Sequence, residues 1–141
     1  MAISIHKTVS VPIAAFLLSI GLSGCGKQSG PPLGYVEGVV TIDDEPASLV
    51  MVEFQPVQGG GSPSIGFADE NGYYRLQFTN SRPGAVIGTH TIRVTMDDDP
   101  TPDNTAPLID IPARYNKLST LKAEVKPGKN RHDFNLTLSR G

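Results

Sequence analysis

Val36-Glu37-Gly38-Val39-Val40-Thr41-Ile42 decides the fold class of this chain. Val36, Gly38, Val40 and Ile42 fall on one side at period two, with Glu37 and Thr41 on the other. That alternation is the mark of a strand with one buried face. Asp43-Asp44-Glu45-Pro46 then breaks the pattern as a turn, and Val50, Val52 and Phe54 repeat the alternation until Pro56 ends it.

The same rhythm continues to the C-terminus. Ile65 to Ala68 reads as a short strand. Asp69-Glu70-Asn71-Gly72 reads as a tight turn, with Asn-Gly suited to positive φ. Tyr74, Leu76 and Phe78 alternate after it, so the two segments are expected to pair as a hairpin. His90, Ile92, Val94 and Met96 alternate against Thr91, Arg93 and Thr95. Leu121, Ala123 and Val125 follow, then the Pro127-Gly128-Lys129-Asn130 turn, then Phe134, Leu136 and Leu138. Seven strands with frequent Gly and Pro turns predict an all-β, antiparallel sandwich. Its core is expected to contain Val52, Phe54, Leu76, Ile92, Val94 and Leu136.

The N-terminus reads differently. His6 and Lys7 precede an apolar stretch from Val9 to Leu22, shorter than the ~20 residues of a spanning helix. Leu22-Ser23-Gly24-Cys25 closes it with the one cysteine of the chain. This resembles the lipobox of bacterial lipoproteins. It implies a cleaved signal peptide over 1–24 and acylation of Cys25, with palmitate as the typical chain, as a membrane anchor. An unpaired cysteine in an exported chain fits that role. Gly26 rather than Asp after the cysteine favours the outer membrane or periplasmic face over the inner membrane. Residues 25–34, with Gly and Pro punctuation, read as a flexible tether, leaving 35–141 as one domain.

Charge narrows the partners. Twelve Lys+Arg stand against fourteen Asp+Glu, and no basic run occurs, which argues against nucleic acid.

Three stretches carry a family resemblance. Val36 to Thr41 with Glu45-Pro46-Ala47 and Val52-Glu53-Phe54-Gln55-Pro56 is similar to the opening of a carboxypeptidase regulatory-like domain. Ala68 to Leu76 is similar to that family's T-D-x-x-G-x-Y/F-x-L hairpin, with Ala68 where Thr is usual. Pro83-Gly84 and Gly88 to Val94 resemble its G-x-Y-x-V-x-V strand, with His90 in the aromatic position. Ile111 to Leu136 resembles the end of short planctomycete lipoproteins. The resemblance implies a transthyretin-like (prealbumin-like) seven-stranded sandwich, and such domains are generally non-catalytic accessories.

Candidate chemistry is sparse. Asp97, Asp98, Asp99 and Asp103 offer hard oxygen ligands for calcium, but their spacing forms no EF-hand, and a solvated strand end is the plainer reading. His90 lies on an apolar face and reads as a packing residue. His132, beside Arg131, reads as exposed. Ser119 and Thr120 near Tyr115 and Arg114 could form a hydroxyl-rich site, or order a loop by bonding backbone. The transthyretin-like hydroxyisourate hydrolases end in Tyr-Arg-Gly-Ser; Leu138-Ser139-Arg140-Gly141 departs from that ending.

The expected function is a non-enzymatic, lipid-anchored structural or protein-interaction module of the cell envelope, with no cofactor. The alternative is a carbohydrate- or other ligand-binding module, for which Tyr35, Tyr73 and Tyr115 would supply exposed rings. A hydrolase is third.

Overall fold

The strand Leu33–Ile42 (β1) is the axis of the first of two sheets, and its residues alternate strictly between the buried and the half-buried face. The computed structural model describes residues 26, 29–97 and 109–138. The leader 1–24, Cys25, Asp98, Asp99 and Asp103 lie outside the described residues.

Asp43 and Asp44 both take positive φ, 48° and 69°, which folds β1 back onto the short strand Glu45–Pro46 (β2) through a two-residue turn. Val50–Pro56 (β3) then enters the second sheet, followed by Ser64–Phe67 (β4). At the next turn the Asp69 carboxylate accepts the N–H groups of Asn71 and Tyr73, at 2.9 and 3.0 Å. Gly72 there has φ 73°, and a Cβ would sit 2.3 Å from the Val40 carbonyl, so both conformation and space call for glycine.

After this turn the chain departs from the expected hairpin. Tyr73–Arg75 (β5) pairs antiparallel with β1 in the first sheet. Gln77–Thr79 (β6) pairs with β4 in the second, through Ile65 opposite Gln77. The segment therefore changes sheet at Leu76, which is fully buried between them. The side-chain alternation of Tyr74, Leu76 and Phe78 runs through this crossing, so period two alone could not reveal it.

Arg82–Pro83 (β7) pairs with β6, Ala85–Val86 (β8) pairs with the start of β1, and Gly88–Met96 (β9) runs the length of the second sheet beside β3. One 3-10 turn, Ala113–Tyr115, precedes Lys122–Val125 (β10), which pairs with β9. Lys129–Arg131 (β11) and Phe134–Leu136 (β12) return to β1 in one constant register, Tyr35 opposite Lys129 and Ile42 opposite Leu136, broken at His132 and Asp133. These two pairings are parallel, where an antiparallel sandwich was expected; the other ladders are antiparallel. Twelve strand segments among the described residues thus stand in place of seven.

The two sheets close on one core. Val36, Val40, Val50, Val52, Phe54, Tyr74, Leu76, Ile92 and Val94 are fully buried, and Leu136 is 2 % exposed. All six expected core residues are among them or beside them. Burying a side chain of this size contributes about 1.5–3 kcal/mol.

Gly38, on the inward face of β1, marks the tightest contact. A Cβ there would lie 1.8 Å from the His132 carbonyl oxygen. That carbonyl accepts the Tyr74 O–H at 2.6 Å, while the His132 N–H donates to the Glu37 carbonyl. The His132 ring packs against Phe54, and its Nε2–H donates to the Glu124 carbonyl on the open edge of β10. His132 is half-buried and joins the two sheets, rather than exposed as its neighbour Arg131 suggested.

Part of the segment 25–34 belongs to the sandwich. β1 begins at Leu33, and the Arg82 guanidinium donates to the Pro31 carbonyl at 2.7 Å and to that of Ser29 at 3.4 Å.

Candidate functional site

The outer face of the first sheet carries a cluster of polar and aromatic side chains. Strand alternation places Tyr35, Glu37 and Val39 of β1 on it. Register brings Lys129 beside Tyr35, Arg131 and Arg75 to either side of Glu37, and Tyr73 beside Val39. A carboxylate therefore sits between two guanidiniums in one row across three strands, a favourable cross-strand arrangement.

Hydrogen bonds tie this row together. The Tyr73 O–H donates to Glu37 Oε2 at 2.6 Å, and Arg75 Nε donates to the Tyr73 oxygen at 3.2 Å while its guanidinium sits 5.7 Å from the Tyr73 ring centre. The Tyr73 bond holds the Glu37 carboxyl below its ordinary pKa, helped by Tyr35 and the two arginines. Partial desolvation, then the neighbouring Glu37 carboxylate, raises the Tyr35 phenol. Arg131 pairs with Asp133 at 3.1 Å, and Asp133 accepts the Val39 N–H.

An open groove of about 900 Å³ adjoins this face where the tether enters. Pro31, Pro32, Tyr35, Glu37, Arg82 and Lys129 are among its walls. It combines an aromatic ring, a carboxylate and an ammonium.

The remaining sequence candidates resolve one by one. Ser119 Oγ donates to the Ile92 carbonyl at 2.5 Å and accepts the Leu121 N–H at 3.2 Å, so this hydroxyl orders the approach to β10. Arg114 lies over the Tyr115 ring at 4.8 Å and donates to the Thr137 carbonyl. The Tyr115 oxygen accepts the Thr137 N–H at 3.1 Å and lies 3.2 Å from its hydroxyl. These Thr137 bonds, then Arg114, lower the Tyr115 phenol to about 8. Tyr115 thus clasps the C-terminal strand, and its ring is covered by Arg114 rather than open for stacking.

His90 is 1 % exposed and lies 5.7 Å from the Phe54 ring centre. Its Nδ1 is 3.0 Å from the Gly88 carbonyl, which can only accept, so Nδ1 carries the proton. Nε2 is then a buried lone pair with no protein partner among the described residues. Burial lowers the His90 pKa, the Gly88 bond opposing and nearby His132 adding to the fall.

Of the acidic calcium candidates, Asp97 alone is described; its N–H donates to the Leu49 carbonyl at 2.8 Å. Among the described residues no group of three or more His, Cys, Asp or Glu could hold a metal ion. No described helix is long and apolar enough to cross a membrane.

The Arg131–Glu37–Arg75 row was not anticipated from the sequence. Glu37 reads as an outward strand residue, but its meeting with Arg75 depends on β5 leaving its neighbour β4 for β1. No family model, no curated protein and no solved structure matches the chain.

Proposed function

We propose that this chain is a lipid-anchored, non-enzymatic protein of the cell envelope, a carboxypeptidase regulatory-like (transthyretin-like) sandwich that holds a protein partner on the outer face of its first sheet. The observation that carries the reading is the Arg131–Glu37–Arg75 row with Tyr35 and Tyr73 around it. Tyrosine and arginine dominate the energetics of protein interfaces, and a row pre-ordered by its own hydrogen bonds loses little freedom on docking. Two further observations favour interaction over catalysis. Ser119 is engaged by backbone on both its donor and acceptor sides, and Tyr115 and Arg114 are bound to Thr137. The Leu22-Ser23-Gly24-Cys25 pattern supports the anchor.

A second reading, a carbohydrate-binding module, is favoured by the groove beside Tyr35 and Glu37, since sugars use a ring face and a carboxylate acceptor together.

The test is a crosslinking pulldown from intact cells with tagged wild type, Cys25→Ser and the double variant Tyr73→Ala/Arg75→Ala. Capture of one envelope protein by wild type, lost in both variants, is the expected result. Capture that survives Tyr73→Ala/Arg75→Ala overturns the assigned face. Retention of the protein on polysaccharide beads, abolished by Tyr35→Ala, would transfer the assignment to the second reading.

A further inference from the structure

We infer that the tether end of the sandwich is a docking surface for the anionic phospholipid headgroups of the bilayer in which Cys25 is anchored. The inference rests on the lipid-anchor reading above.

Strand directions sort the charged residues by end. β1 leaves the tether at Leu33, and the segments gathered around its start are 57–63, 80–89 and 124–130. Val57 N–H donates to the Thr89 carbonyl, Gly34 pairs with Ala85, and the Asn130 amide donates to the Tyr35 carbonyl. Together with residues 29–35 these segments carry Arg82, Lys126 and Lys129 against one carboxylate, Glu124. Lys126 and Lys129 are exposed, and the groove at this end is lined by Lys129 and Arg82 with the single carboxylate Glu37. The opposite end holds the turns after β1 and β4, where Asp43, Asp44, Glu45, Asp69 and Glu70 are all exposed. Arg114 and Lys117 are the described cations there, two against those five carboxylates. The molecule is therefore polarised along its strands, positive where the tether enters.

Reach makes that polarity effective. Because Arg82 holds the Pro31 carbonyl, only six residues of chain separate Cys25 from a point fixed to the sandwich. Six residues span at most about 20 Å. The basic end can therefore touch the headgroups and cannot stray far from them; within a Debye length, about 8 Å at physiological salt, the surface potential acts on it. The acidic end is the one an anionic surface repels. Docked this way, the strands stand away from the bilayer, and the outer face of the first sheet is presented sideways to neighbouring envelope proteins.

The experiment uses the full chain isolated from membranes and reconstituted into vesicles. One set is pure phosphatidylcholine; the other contains 30 mol % phosphatidylglycerol. Mass analysis of the Cys25 peptide reports the anchor. Amide hydrogen exchange reports docking. On the anionic vesicles, amides of 82–86 and 127–131 should exchange several-fold more slowly than on the neutral ones, with 69–73 unchanged. High salt should erase the difference, as should Lys126→Glu/Lys129→Glu, whose unchanged melting temperature would confirm folding. Each basic residue at the surface is worth about fivefold in local binding, so the charge-reversed pair should abolish the protection outright. Equal exchange on both vesicles, with Cys25 acylated, overturns the docking surface and leaves the anchor standing. A Cys25 peptide without lipid overturns the anchor, and the docking surface with it.

Discussion

Replacing Gly38 with alanine tests the joint between the two sheets with a single methyl group. Gly38 lies in ordinary extended backbone, so space alone is at issue. The added Cβ would fall 1.8 Å from the His132 carbonyl oxygen, 2.7 Å from its carbon and 2.9 Å from Tyr74 Cε1. Two of these atoms are backbone and cannot swing aside, so the break between β11 and β12 must move away from β1. Overpacking of this kind costs about 1–3 kcal/mol, occasionally more. Displacing His132 also weakens the Tyr74 hydroxyl bond to its carbonyl, worth about 1 kcal/mol. Against this stands the alanine's lower unfolded-state entropy, about 0.4–1 kcal/mol in favour of the variant. The net expectation is a loss of about 1–3.5 kcal/mol, or a drop in melting temperature of about 5–20 °C for a domain near 100 residues. Urea unfolding and a thermal melt measure it. Tyr74→Phe should cost about 1 kcal/mol alone, and the double variant less than the sum, since both changes act on one carbonyl. A Gly38→Ala protein as stable as wild type or more so, or strict additivity in the cycle, would refute the contact and the parallel register that creates it.

Two predictions concern protons. His90 has a lowered folded pKa, so between that value and the unfolded value near 6.5 the unfolded chain binds more protons; stability should fall as pH drops below about 6.5. Denaturant unfolding from pH 7.5 to 5 should show this acid limb in wild type and a flatter one in His90→Leu. Tyr115 should titrate near 8, visible as phenolate absorbance at about 295 nm that disappears in Tyr115→Phe. Its folded pKa lies below the unfolded value near 10, so it adds stability as pH rises from 8 towards 10 and loses it as pH falls back through 8.

Much of the fold follows from local pattern. Strand positions, the inward face of β1, β3 and β9, and the Asp43-Asp44 and Asn71-Gly72 turns are all set by period two and by residues that tolerate positive φ. Those choices depend on each residue and its nearest neighbours, so a sequence states them directly. Which strands pair is a different matter. Tyr74, Leu76 and Phe78 alternate identically whether the segment stays with β4 or crosses to β1, and nothing in the alternation of Phe134 and Leu136 distinguishes a parallel from an antiparallel partner. The Arg131–Glu37–Arg75 row follows from both pairings, so no reading of residues in order could assemble it. His132 shows the same limit from the other side: polar composition suggests exposure, but its carbonyl and ring are committed across the core by contacts to Tyr74, Phe54 and Glu124. Sequence by itself determined the longer strands β1, β3 and β9, their buried faces and the core residues, because side-chain alternation and turn chemistry are local. Tertiary structure decided the sheet crossing at Leu76, the parallel return of the C-terminus and the charged row, because pairing energy is shared between segments far apart in the chain.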